Sequence, residues 1–162
     1  MAYQKLQVGS GLKVIPSALV MIPDPSSKVL SGTTDLSGVK ELKLSTASFL
    51  SDGIQINAIV YNTTDNTAAY VTAVDSNTTL SLSADIMDTS EDFVIYNRPT
   101  NGCILYVGTA GDLTVQMATD KDVPPASDAE VTFKNIANAS FLPTQVVRVD
   151  SASTAADIIA LW

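Results

Sequence analysis

The sequence contains no histidine and only one cysteine, Cys103. Without histidine there is no Ser-His-Asp or Cys-His pair, no imidazole base and no His-ligated metal. A lone cysteine makes no internal disulfide. Cys103 opens an apolar run, "CILYVG", with Arg98 the nearest basic residue, and reads as a small buried hydrophobe and not as a nucleophile. Positive charge is scarce as well. Nine Lys and Arg stand against seventeen Asp and Glu, a formal net charge of -8, and no basic run forms a patch. Nucleic-acid binding depends on cations displacing counterions from phosphate, so nucleic acid is not expected as a partner. No apolar stretch approaches the ~18 residues of a membrane span, so no membrane partner is expected either. The opening "MAYQKLQVGSG" lacks the apolar centre of a signal peptide.

What is present is a packed-core composition. Apolar residues make up 46% of 162 residues, while charged residues make up 16%, below the ~25% usual in globular chains. Ser, Thr, Asn and Ala fill the difference. Alternation points to strands. In "LSLSA" (residues 80–84) Leu80, Leu82 and Ala84 share one face and Ser81 and Ser83 the other. "YVTAV" and "TLSLS" flank the turn formers "DSNT" and predict a hairpin. "IQINAIVYN" alternates Ile54, Ile56, Ala58 and Val60 against Gln55, Asn57, Ile59 and Tyr61. "DFVIYN", "CILYVG", "LTVQMA", "VTF" and "QVVRV" continue the series. Helical signals are few: "STASFLSDG" could hold one or two turns, capped by Ser45 or Thr46 and stopped near Gly53. The last five residues, Ile158, Ile159, Ala160, Leu161 and Trp162, are all apolar and include the sole tryptophan. They read as a strand whose pairing and burial hold it in place.

Two seams, "IPDPSSKVLSGTTDLSG" and "NRPTNG", bracket a block that looks self-sufficient, as an inserted domain would. The expected organisation is a β-sandwich-like host domain from residues 1–27 plus 98–162, with a small β-barrel inserted at 28–97. The expected fold class is therefore all-β.

Candidate chemistry is thin. "DIMDTSED" gathers Asp85, Asp88, Glu91 and Asp92, but lacks the alternate ligand spacing and central glycine of an EF-hand loop and reads as a solvated turn. Asp120, Asp122, Asp128 and Glu130 surround Pro124-Pro125. Paired carboxylates can hydrolyse sugars, but nothing marks a cleft there, and an exposed acidic loop is the plainer reading. "VGTAGD" lacks the phosphate-loop pattern and reads as a hairpin turn with Gly108 or Gly111 at positive φ. Three Asn-X-Ser/Thr triplets begin at Asn62, Asn77 and Asn138, as a Ser/Thr-rich chain yields by chance. No catalytic, cofactor-binding or metal-binding residues are assigned, and no enzyme activity is expected.

Six stretches taken together carry a resemblance: residues 105–108 (an aromatic strand ending in VG), Gly111-Asp112, residues 131–133 (VTF), 142–149 (LPTQVVRV), the small-residue loop 151–156, and the terminal 158–162. With "VIPSALVMIPDP" near the start, this set resembles a family of tailed-bacteriophage virion proteins, the capsid spike-base or head-decoration proteins, also found in gene transfer agents. Two loops depart from the family pattern: "DKDVPPASDAE" is longer than its usual turn, and "DSASTAAD" stands for a glycine-containing loop. "GIQINAIVYNTTDNTAAYVTAVDSNTTLSLSADI" resembles a small barrel module of marine and cyanobacterial phage structural proteins. The resemblance implies a non-enzymatic structural role on the outer capsid surface of a virion, with no cofactor. The partners would be the major capsid protein or other virion proteins, and the chain itself in a homo-oligomer of three- or five-fold symmetry. Phe141, Leu142, Ile158, Leu161 and Trp162 are then the interface candidates. Trp162 packed inside its own domain is an equal alternative. The competing functional reading is a β-rich module binding host-surface glycans, which requires exposed aromatics.

Overall fold

A computed structural model describes residues 8–119 and 130–162. The chain is all-β, with two antiparallel sheets of six strands each. In chain order the strands are β1 (Gly11–Lys13), β2 (Lys28–Thr33), β3 (Glu41–Lys43), β4 (Ile59–Asn62), β5 (Thr67–Val74), β6 (Thr79–Leu82), β7 (Asp92–Tyr96), β8 (Cys103–Thr109), β9 (Gly111–Met117), β10 (Glu130–Ile136), β11 (Ser140–Val149) and β12 (Ala156–Leu161). Each sheet belongs to one compact unit. The terminal unit combines the chain up to Val14 with Asn101–Trp162, and the inserted unit is Ile15–Thr100.

The inserted unit begins at Ile15, earlier than the proline-rich seam suggests. Residues 15–27 are tied to it by backbone. Pro23 bridges Pro99, Asp24 N donates to Arg98 O, and Thr100 N donates to Ile22 O. Met21 N donates to the Tyr70 hydroxyl at 2.9 Å. The proline pair ends a strand-like clasp; it does not loosen a linker.

The order in the inserted sheet is β2-β7-β4-β5-β6-β3. The expected hairpin is β5–β6, with Val74 opposite Leu80 and Val71 opposite Leu82. Leu80 and Leu82 join Phe49, Val60, Val71, Phe93 and Ile95 in the core, on the face their alternation assigns. The sheet is open, which corrects the expectation of a barrel. Closure needs a ladder between first and last strands. Here β2 and β3 share no ladder; a single bridge joins Lys43 of β3 to Leu36 just past β2, and a Cβ on Gly32 of β2 would sit 3.3 Å from the Leu44 side chain just past β3. Side-chain packing fills the place a ladder would take.

Two local expectations also change. "STASFLSDG" gives a single helical-type turn, with Asp52 N donating to Ser48 O and Gly53 at φ 73 ending it. The long strand expected from "IQINAIVYN" shrinks to β4, because Asn57 adopts φ 69 and breaks the alternation. Ile56, assigned to the buried face by that pattern, is 63% exposed.

The terminal sheet has the order β1-β12-β8-β11-β9-β10. Strand β11 is shared: Ser140, Phe141 and Leu142 pair with β8, Arg148 and Val149 pair with β9, and Val146 faces both Cys103 and Met117. Pro143 sits where it leaves the first ladder, a position at which a missing N–H costs nothing. The sandwich-like layering expected of this unit thus takes the form of one six-stranded sheet with a strand common to two ladders.

"VGTAGD" is not a hairpin turn. Gly108 and Gly111 lie inside β8 and β9, neither has positive φ, and β11 separates the two strands. Their glycines serve close approach instead. A Cβ on Gly108 would meet the Asp157 Cβ at 2.8 Å, and one on Gly111 would fall onto the backbone of Thr154 and Ala155. Gly111→Ala is therefore expected to destabilise the terminal unit by about 1–3 kcal/mol, the usual cost of overpacking. Urea unfolding followed by fluorescence of the single Trp162 would measure it; an unchanged midpoint would contradict the close approach.

Candidate functional site

Alternation along β12 buries Ile158 and Ala160 and turns Ile159 and Leu161 to the other face. The register aligns these with their neighbours. Lys13, Ile159, Tyr106 and Phe141 lie in one row across β1, β12, β8 and β11, and Leu161 stands beside Ile104 in the next. Directly opposed residues share a face, so this row is a cross-strand stripe. Phe141 packs edge-on against Tyr106, with ring centroids 5.3 Å apart. Phe141 is 62% exposed and Ile159 38% exposed.

The five interface candidates therefore divide. Leu142 and Ile158 are buried in the core of their own unit and present no surface. Leu161 and Trp162 are half-buried, and Phe141 stands out from the sheet. Trp162 is tied down through its backbone: its N–H donates to Ser10 O, and its carbonyl accepts from Gly9 and Ser10. The sequence did not single out Tyr106 or Ile159. Both signals, an aromatic and a β-branched residue at the outward positions of adjacent strands, become visible only once the register is known.

A second cluster was also missed. Arg148 is fully buried, as is Gln116 directly opposite on β9. The guanidinium donates to Gln116 Oε1 at 3.2 Å, to Asp150 Oδ2 at 2.8 Å and to Glu130 Oε1. Glu130 is thus an ion-pair partner at the start of β10, not a member of a solvated acidic loop; Asp120, Asp122 and Asp128 lie outside the described residues. The available signal was Arg148 and Asp150 two apart in an apolar strand, which places them on one face. Burial pushes Asp150 up, but the Ala152 N–H and the Arg148 guanidinium outweigh it and hold its pKa below the ordinary carboxylate value. A depressed folded-state pKa gives stability that is present above the unfolded value and lost as pH falls through the folded one. Unfolding midpoints reported by Trp162 should be level from neutrality down to about pH 5 and fall below about pH 4. Asp150→Asn should flatten that fall, and an equally steep fall in the variant would contradict the assignment.

In the inserted unit, a cleft of about 490 Å³ is lined by Val39, Asp65, Thr67, Asp85, Asp88 and Glu91 among others. Three of its carboxylates hold its own walls. Asp85 accepts from Lys40 N, Asp88 from Thr89 N, and Glu91 Oε2 from Asp88 N and the Asn62 amide. Thr34, buried beside them, accepts from Glu91 N and donates to Asp88 O. Among the described residues no group of three or more His, Cys, Asp or Glu is placed to hold a metal ion. Asn62, first of the glycosylation-like triplets, is buried and structural. Cys103 is buried, its Sγ lies 3.3 Å from Val146 O, and burial pushes the thiol up to about 12, far from a thiolate at neutral pH.

Searches against family models, curated proteins and solved structures find no match to the chain.

Proposed function

We propose that this chain is a non-enzymatic bacteriophage virion protein that decorates or cements the outer capsid surface, or forms the base of a head spike or fibre, as a symmetric homo-oligomer. One observation carries the reading. The later stretches that resemble spike-base and head-decoration proteins, at 105–108, 111–112, 131–133, 142–149, 151–156 and 158–162, belong to the strands of the terminal sheet and the loop before its last strand. The opening stretch, 14–25, falls almost wholly in the other compact unit, Ile15–Thr100, together with the chain between the matches. A host sheet can carry a self-contained insertion without losing its own fold, as an attachment module with an extra domain would. The acid-rich composition supports placement away from nucleic acid, and its partners would be the major capsid protein or other virion proteins.

Exposed Phe141, packed on half-buried Tyr106, favours one second reading, a glycan-binding module, since sugars stack on exposed aromatic rings. Antibody raised against the recombinant chain and applied to purified particles tests the first reading, and a glycan array tests the second. Gold label on intact capsids without glycan binding supports the virion role. Glycan binding by a chain absent from particles would replace it.

A further inference from the structure

We infer that the outward face of the terminal sheet, centred on Phe141, is where a second copy of this chain docks. The inference rests on the homo-oligomeric part of the virion reading and assigns it a surface. Phe141, Tyr106, Ile159 and Leu161 form a contiguous apolar patch across β11, β8 and β12. With Phe141 at 62% and Ile159 at 38% exposure, and the others partly covered, the patch presents on the order of 300 Å² of apolar surface. Each side of a standard interface buries roughly 450 Å² of non-polar area, so the patch supplies most of the centre of a reversible interface and too little for an obligate one.

Charge selects the occupant. The chain carries -8, so two copies repel over most of their surfaces. Among the described residues, its row contains one cation, Lys13, and its border one acidic side chain, Asp157, which accepts from the Thr109 hydroxyl at 2.6 Å. Those two charges balance. In a two-fold contact, unlike one in a three- or five-fold ring, the same residues come from both sides, so a surface bearing one charge of each sign complements itself. A basic partner would find no excess negative charge here.

The test is sedimentation velocity on the full chain over a wide concentration range, with Phe141→Asp and, as a control on edge strand β10, Val131→Asp. Val131 is also exposed but lies outside the row. The wild-type chain and Val131→Asp should move from single-chain to oligomeric mass as concentration rises. Phe141→Asp should associate about thirtyfold more weakly, the loss expected of a central aromatic anchor, with its thermal midpoint unchanged. If the aspartate unfolds the chain, Phe141→Ser serves with the same expectation. A wild type that stays single at every concentration overturns the inference, as does a Phe141 variant that associates normally. So does a single chain that binds glycans through Phe141. A single chain that still labels particles would overturn this inference alone, while an oligomer that never labels them would overturn the virion reading and leave this one standing.

Discussion

Arg148→Ala should destabilise the terminal unit by about 3–5 kcal/mol, the cost of removing one member of a buried ionic cluster. The side chain is completely buried, and its removal does three things at once. It leaves Asp150 in its site without the guanidinium that pairs with it. It strips Gln116 of a partner in a buried position. It also frees Glu130, and with it the start of edge strand β10, from the centre of the sheet. Arg148→Lys keeps the charge but not the planar fork that serves three acceptors, and should recover only part of the loss. Denaturant midpoints read through Trp162, which lies in the same unit, would report both. A loss below about 1 kcal/mol for Arg148→Ala, within the range of an exposed pair, would show that the cluster contributes little.

Leu80→Asp should abolish the fold of the inserted unit while leaving the terminal unit intact. Leu80 is fully buried in the cluster with Phe49, Phe93 and Ile95, and a carboxylate there has no partner. The cost exceeds about 4 kcal/mol, comparable to the whole stability of a small unit. Thr72→Asp, exposed on the neighbouring β5, should be tolerated within about 0.5 kcal/mol. The two units give separable signals, because the only tryptophan belongs to the terminal one. Leu80→Asp should therefore remove a large part of the far-ultraviolet β signal with little change in Trp162 emission. Simultaneous loss of both signals would mean that the units do not fold independently.

The legible part of the fold was the part governed by period-two alternation and turn chemistry. "YVTAV-DSNT-TLSLS" encodes the β5–β6 hairpin, though not the register shift between Val71 and Ala73, and the terminal apolar run encodes β12. What alternation could not show was where a backbone leaves it. Asn57 at positive φ cuts "IQINAIVYN" in two, and nothing in an asparagine distinguishes that position from an in-line one. Gly108 and Gly111 looked like turn glycines because glycine serves positive φ and close approach alike. Only the third chain segment, 154–157, separates the two uses. The open sheet has the same origin: the packing of Leu44 toward Gly32 is a tertiary contact with no local signature. The candidate site was half legible. Phe141 and Leu161 could be named from the sequence, but Leu142 and Ile158 could not be told from surface residues, and Tyr106 and Ile159 joined the stripe only through register.

Immunoelectron microscopy of purified particles tests the virion role most directly. Gold label is expected on the outer surface of intact, DNA-filled capsids, at positions repeated by the capsid symmetry, and removed when the particles are stripped of their surface proteins. Particles that carry no label, with the chain recovered only from the soluble fraction of the same lysate, would contradict it.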